Sequence, residues 1–263
     1  MSKIVFVGGG RITSAMLAGL RLGKTKHDLL VHDRNPGKLR DLKKRYAVAV
    51  EPDLRGAIRK ADVLIIAVRP SAVPELLRSV RKMKGARLAV SLAAGVRLRA
   101  LSKLAGSPVR WARAMPSPVC RTGLGFTAVT FPPTLPRADR KWVKDLFASF
   151  GQVVEIPESK FDAFTVTYSC SHGYHALATL ARAAQAAGLD RETALLAAAH
   201  ALADGIVAWR HGDHSLESLL KEAVTPGGIA ATTMDAMDAA GYGRAVRRGV
   251  AAGLRKARRP SRK

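Results

Sequence analysis

The chain has 263 residues, 48% of them hydrophobic and 24% charged, which suits one large or two modest globular domains and excludes a disordered or collagen-like polymer. Its formal net charge is +24, but the cations are scattered, dense only in LRKARRPSRK, and no zinc-finger spacing, aromatic-basic RNA motif or basic heptad region accompanies them. Specific nucleic-acid recognition is therefore not expected, and the basic tail, residues 255–263, reads as disordered.

No apolar run approaches the roughly 20 residues that span a bilayer. The start MSKIVFVGGG carries too short an apolar stretch for a signal peptide. Two cysteines, Cys120 and Cys170, indicate no disulfide framework. A cytoplasmic protein without a membrane partner is the expectation.

Residues 3–8, KIVFVG, read as a short buried strand, followed by a glycine turn and the helical run ITSAMLAGLRLG. DLLVHD (28–33) is a second strand, PGKLRDLKKRY a second helix, and ADVLIIAV (61–68) a third strand. AVPELLRSVRKM is helical, ARLAVSLAA (86–94) strand-like, and RLRALSKLAG helical again. VRWARAM and GFTAVTF add shorter strands before the helix RKWVKDLFASFG. Strands alternating with helices of this length predict right-handed βαβ units and a parallel sheet covered on both faces. Past residue 158 the pattern becomes helix after helix, rich in alanine, with Gly188 and an Asp190 cap as punctuation. The expected organisation is an α/β Rossmann-type domain over 1–158 and an all-α domain over 159–254. Small-residue helices of this kind bury a face against a second subunit, so a homodimer or higher homo-oligomer is expected.

VGGGRIT (7–13) follows the first strand and opens the first helix, the context that a dinucleotide fingerprint requires. Gly8 permits the tight turn, and Gly10 lets backbone approach a pyrophosphate that the helix start, Arg11 and Ile12, stabilises. Thr13 stands where the third glycine falls, still a small residue. Cofactor choice turns on HDRN at the end of the second strand. Asp33 could hydrogen-bond a ribose 2′-hydroxyl and favour NAD(H). Arg34, Asn35 and Lys38 could instead clasp a 2′-phosphate, and two cations beside one carboxylate tilt the reading to NADP(H).

The runs VGGGRITSAMLAGL, VHDRNPGKL, ADVLIIAVRP, VSLAAGV, RAMPSP and VTPGG occur in the order seen in pyrroline-5-carboxylate reductases, and the chain resembles that family over nearly its whole length. The resemblance implies an NAD(P)H-dependent imine reductase that makes proline from 1-pyrroline-5-carboxylate, an imino acid. It also implies a Rossmann domain followed by a helical dimerisation domain, with active sites built from both subunits. By similarity Ala67, Val68, Arg69 and Pro70 border the nicotinamide and its ribose, as do Ala93 and Gly95, with Met115 and Pro116 beside them. The loop before the TPGG helix holds the substrate carboxylate in such enzymes, which assigns Thr225, Gly227 and Gly228 to the substrate. The physical chemistry agrees, because paired glycines expose backbone N–H groups at a helix start that favours anions.

Three departures cluster at the inferred substrate pocket. Relatives carry a threonine, facing the substrate ring nitrogen, at the place of Ala230. The segment YSCSHGYHAL keeps the serines Ser169 and Ser171 but brings Cys170, His172, Gly173, Tyr174 and His175 where relatives have glycine, glycine or serine, proline, alanine and a tyrosine one residue later. Ser117 replaces an asparagine. Histidine titrates near neutrality, so His172 and His175 are candidate proton donors beside Thr225. Their spacing lacks a third ligand and no metal site is expected, while Cys170 reads as a packing residue. His211 and His214 read as loop residues, and Trp142 and Trp209 as amphipathic anchors. Two other readings keep the fold: a reductase for another cyclic imino acid or a keto or hydroxy acid, and a dinucleotide-binding paralogue without turnover.

Overall fold

The structure is a computed structural model that describes residues 1–79, 81, 88–106 and 109–258. Contacts divide the chain into two compact units, Met1–Tyr168 with the chain from Leu254 onward, and Ser169–Gly253.

The first unit is built on one eight-stranded sheet in the order β3-β2-β1-β4-β5-β6-β7-β8. Its strands are β1 (Lys3–Val7), β2 (Asp28–His32), β3 (Ala49–Val50), β4 (Val63–Ile66), β5 (Leu88–Ser91), β6 (Arg110–Met115), β7 (Gly125–Thr130) and β8 (Gly151–Glu155). Helices α1 (Arg11–Leu22), α2 (Pro36–Tyr46), α3 (Leu54–Arg59), α4 (Val73–Ser79), α5 (Leu98–Ala105), α6 (Arg137–Ala148) and α7 (Glu158–Thr167) accompany it. The central strands are apolar without alternation: VLII of β4 and LAVS of β5 are buried throughout. That is the signature of strands covered on both faces. Successive side chains then serve opposite cores. Ile4 and Phe6 join Met16 and Leu20 of α1 and Phe147 of α6 on one face. Val5 and Val7 join Ile58 of α3 and Leu101 of α5 on the other.

Three features differ from the sequence expectation. The sheet is not wholly parallel, since β6 and β7 run antiparallel. They are joined by a 3₁₀ turn, Pro118–Thr122, with no crossover helix to return the chain to the starting end. The elements β3, α3 and β8 carried no readable pattern: β3 has two residues, α3 six, and β8 is a half-exposed strand. Finally, by contacts α7 groups with the first unit, whose unbroken stretch runs to Tyr168. An aromatic cluster accounts for this. Phe126 of β7 meets Phe164 and Tyr168 edge-on, at 5.6 and 5.4 Å between ring centroids.

The second unit comprises α8 (Cys170–Ala186), α9 (Arg191–His211), α10 (Leu216–Glu222), α11 (Ile229–Ala239) and α12 (Tyr242–Arg258), the last continuing into the first unit at Leu254. The Asp190 carboxylate caps α9 by accepting from the N–H groups of Glu192 and Thr193, each at 3.0 Å. His211 is the last residue of α9 and not part of the following loop. The tail expected to be disordered from 255 is helical through Arg258, and residues 259–263 lie outside the described residues. Among the described residues no helix is long and apolar enough to cross a membrane.

Candidate functional site

The residues assigned to a cofactor follow the carboxyl ends of the parallel strands β1, β2, β4, β5 and β6, so they gather along one edge of the sheet. In an open sheet of this order the crevice lies at that edge, where connections turn to opposite sides of β1 and β4. Gly8, after β1, has φ +111°, and a Cβ there would stand 2.7 Å from the Ala67 carbonyl oxygen. The end of β4 therefore passes too close for any other residue. A Cβ on Gly10 would meet nothing within 4 Å, so the side of the turn that faces away from the sheet is open.

Gly10 is also the N-cap of α1, without a side-chain cap, and the first turn contains no acidic residue. The first intrahelical bond runs from Ser14 N to Gly10 O, so the preceding N–H groups, including those of Arg11 and Ile12, have no partner within the helix. An uncapped helix start behind an open glycine suits a pyrophosphate. Thr13 is fully buried and its hydroxyl donates to the Gly8 carbonyl, bracing the turn from within. A third glycine could not supply that bond.

Asp33 points inward. Its Oδ2 accepts from Gly9 N (2.7 Å) and its Oδ1 from Asn35 N (2.8 Å), with Lys38 Nζ 3.7 Å away. Burial pushes this carboxyl up, but the Asn35 and Gly9 N–H groups and the Lys38 cation outweigh it and hold the group below the usual carboxylate range. Asn35 is committed as well, its Oδ1 capping α2 through Lys38 N (3.2 Å). Arg34 and Lys38 remain exposed at the strand end.

Further along the edge, Ala67 donates its N–H to Val7 O at 2.9 Å, while Val68 lies beside Gly8. Arg69 is exposed and leads into the 3₁₀ turn that begins at Pro70. Ala93 is buried and donates to Ser91 Oγ (3.3 Å). Gly95, at φ +72°, lies against the Ala257 carbonyl, where a Cβ would collide. Met115 closes β6, and Pro116 is buried behind it.

Ser117 is 4% exposed and its hydroxyl accepts from Val119 N (3.3 Å) while sharing a 3.1 Å bond with the Tyr168 hydroxyl. Tyr168 OH accepts in turn from Phe126 N at 3.1 Å. Tyr168 escaped the sequence reading. Its partners lie 42 and 51 residues away, and nothing local signals them.

The residues assigned to the substrate lie in the second unit, at two helix starts. At α8, Ser169 and Ser171 share a hydroxyl hydrogen bond of 2.6 Å. His172 and His175 stand exposed on the first turns, with His172 N donating to Ser169 O. The side chain of Cys170 lies outside the described residues. Before α11, Gly228 N donates to Thr225 O (2.9 Å) to close a tight turn. Pro226 holds its second place and Gly227, at φ +73°, its third, the pair that a type II turn demands.

The turn corrects one expectation: the Gly228 N–H is spent inside it and is not offered outward. The donors without helical partners are those of residues 229–231, because the first intrahelical bond runs from Thr232 N to Gly228 O. The hydroxyls of Thr232 and Thr233 fold back onto Gly228 O (3.1 Å) and Ile229 O (2.9 Å). An open hollow of about 660 Å³ runs beside this helix, lined by Gly227 and by α11 residues such as Ile229, Thr233 and Met237. The other residues assigned to the substrate are not in its wall. Among the described residues no group of three or more His, Cys, Asp or Glu could hold a metal.

Comparison with known proteins matches the two parts of the chain to separate families, the second from residue 158 and so including α7. Residues 3–95 match the family described as NADP oxidoreductase coenzyme F420-dependent, and residues 158–260 match pyrroline-5-carboxylate reductase dimerisation. The pyrroline-5-carboxylate reductase of Mycobacterium leprae is 33% identical over 214 residues, 77% of this chain and 72% of that protein. The chain belongs to the pyrroline-5-carboxylate reductase family. The Synechocystis pyrroline-5-carboxylate reductase is 28% identical over 97% of this chain and 96% of its own length.

Two solved structures, a 1-pyrroline-5-carboxylate reductase and a pyrroline carboxylate reductase, share the fold at 23% identity. The Streptococcus pyogenes enzyme has a TM-score of 0.90 and covers 98% of both chains. The Plasmodium falciparum enzyme, with NADP bound, has a TM-score of 0.88 and covers 98% of this chain and 97% of its own. Within the family frame, the glycine edge, with its braced turn, falls in the unit that the nucleotide-binding family model matches. Ala230, His172 and His175 fall within the residues matched by the dimerisation model.

Proposed function

We propose that this protein is an NAD(P)H-dependent oxidoreductase that reduces the C=N bond of 1-pyrroline-5-carboxylate to give proline. The 33% identity to a pyrroline-5-carboxylate reductase over most of both chains carries the substrate assignment. The glycine edge supports the cofactor, since Gly8 admits β4, Gly10 is open, and the start of α1 is uncapped. A reduced nicotinamide dinucleotide bound there supplies the hydride. Gly10, Arg11 and Ile12 hold its pyrophosphate, and the residues from Ala67 to Pro70, with Ala93, Gly95, Met115 and Pro116, border the nicotinamide end. Gly227 and the free N–H groups of 229–231 receive the substrate carboxylate, with Thr225, Ser169 and Ser171 adding hydroxyls. An iminium carbon is already electrophilic, so holding it in place supplies most of the acceleration, and His172 or His175 serves as proton donor only as an accessory.

NADP(H) is preferred in this reading, because Asp33 and Asn35 are occupied by backbone while Arg34 is exposed to meet a 2′-phosphate, with Lys38, ion-paired to Asp33, beside it. Arg34→Ala should weaken NADPH binding by about tenfold and NADH binding by less than about twofold, the loss of a single charge-assisted hydrogen bond. Fluorescence titration with both coenzymes checks this, and equal loss for both refutes the assignment. The second unit, with its apolar helix faces, supports a homodimer.

A different imino or keto acid is favoured by one observation. The family threonine is Ala230, and the hydroxyls that follow it, those of Thr232 and Thr233, are bonded to Gly228 O and Ile229 O. Loss of NADPH absorbance with pyrroline-5-carboxylate, compared with a panel of cyclic imino and keto acids, decides between them. Turnover with the panel alone overturns the proline reading, and coenzyme binding without any turnover leaves only a dinucleotide-binding paralogue.

A further inference from the structure

Arg113 is the largest fully buried side chain, at 0% exposure, in a strand otherwise made of Trp111, Ala112 and Ala114 at its centre. Its guanidinium lies over the Phe161 ring, 4.3 Å from the centroid, and Nη1 donates to Glu158 Oε1 at 3.1 Å. Asp162 Oδ1 is 3.6 Å from Nη2 and makes no hydrogen bond, nor do Nε and Nη2. Asp162 therefore balances charge, and of the two carboxylates Glu158 is the one that hydrogen-bonds the guanidinium. The same Glu158 oxygen accepts a second bond, from Leu98 N at 2.7 Å. Leu98 opens α5, whose N-cap residue, Arg97, supplies no side-chain acceptor, so the cap comes from α7, 60 residues away in sequence.

The position of this junction sets its meaning. Arg113 pairs in register with Ser91 of β5, immediately before the Leu92–Gly95 loop, and it precedes Met115 and Pro116 by only two and three residues. Glu158 thus ties the far end of the β5–α5 loop to the strand that leads into the Met115 loop. Buried ion pairs are poor devices for stability, because an apolar residue of similar volume usually serves as well or better. In some proteins they fix a unique geometry instead, and here the buried Arg113 and the partly exposed Glu158 join two loops.

We propose that Glu158, acting through Arg113 and Leu98 N, is a positioning residue that sets the spacing of the two loops bordering the nicotinamide half of the bound coenzyme. The inference rests on the dinucleotide reading above but not on the identity of the reduced substrate. It separates the nicotinamide end from the adenosine end, which Gly8, Gly10 and Arg34 hold without help from this junction.

The test compares the full-length wild type with Glu158→Ala, Glu158→Gln and Glu158→Asp. Each is titrated with NADPH and with 2′-phospho-ADP-ribose, which lacks the nicotinamide. For Glu158→Ala the dissociation constant for NADPH should rise by about tenfold, the loss of a hydrogen-bonded tie, while that for 2′-phospho-ADP-ribose stays within about twofold. Glu158→Gln keeps an acceptor oxygen at the same reach and should recover most of the NADPH affinity. Glu158→Asp keeps the charge beside Arg113 but withdraws the oxygen from Leu98 N, so it should weaken NADPH selectively even if the alanine variant fails to fold. Equal weakening of both ligands, unchanged binding of both, or a glutamine variant no better than aspartate overturns the proposal. If the wild type binds neither ligand, and NADH and ADP-ribose no better, the dinucleotide reading falls and this inference with it.

Discussion

Asp33 shows how one side chain can be legible in type while its hydrogen-bond partners are not. Its place at the end of β2 was evident in the sequence. Its orientation was not, because that depends on Gly9 presenting an N–H across the turn. Burial raises its carboxyl, yet two backbone donors and Lys38 bring it below the ordinary range. A group depressed in the folded state contributes stability above its unfolded value, near pH 4, and loses that contribution as pH falls through the folded value. The melting temperature of wild type should therefore exceed that of Asp33→Asn by a constant margin from neutral pH down to about pH 4. Below that the two should converge, since the wild-type carboxyl then takes up a proton and resembles the amide. Thermal denaturation of both proteins across this range measures the gap. A gap that widens on acidification would show that the backbone donors do not stabilise the charged form.

At the level of elements, the hydrophobic runs of β1, β4 and β5 and the amphipathic α1 and α2 could be read because burial on a parallel sheet imposes a local pattern. The short α3 and the edge strands β3 and β8 could not, since their existence depends on neighbours: β8 is held by its register with β7. The glycines of α1 divide in the same way. Gly10 advertised itself through its motif, whereas Gly19 looked like an ordinary helix residue. Yet a Cβ on Gly19 would collide with the Cys120 carbonyl and stand 2.7 Å from Phe150 Cβ. Gly19→Ala should accordingly cost roughly 1–3 kcal/mol of stability, because the helix must shift away from the 3₁₀ turn and the α6–β8 corner. Gly10→Ala should leave thermal stability nearly unchanged, its Cβ having nothing to strike, but reduce coenzyme affinity by filling the approach to the pyrophosphate. Melting curves and coenzyme titrations of the two variants should give opposite patterns. Stability lost in Gly10→Ala would mean that the turn is closed to a side chain after all.

For the whole molecule, the contrast between the units is one of burial. Among the described residues, every exposed large hydrophobic one apart from Met1, Leu22 and Leu124 lies in the second unit. Among its described residues only Ala181, Ala194 and Ala198 are buried. Leu196, Ile206 and Trp209 of α9 are 60%, 56% and 45% exposed. A helical segment of this length cannot offset its conformational entropy with three alanine contacts, so its apolar faces must be covered by another surface. The alanine-rich helices could be recognised in the sequence, but what completes their core could not, because a second chain leaves no separate mark in the first. If that surface is the same unit of a second copy, assembly and helical stability are one quantity. The melting temperature should then rise with protein concentration, and light scattering should give twice the chain mass. Ile206→Asp should reduce the mass to that of a single chain and lower the melting temperature, while Leu22→Asp, an exposed residue of α1, should change neither. A monomeric wild type with a concentration-independent transition would refute self-assembly and require another partner for these helices.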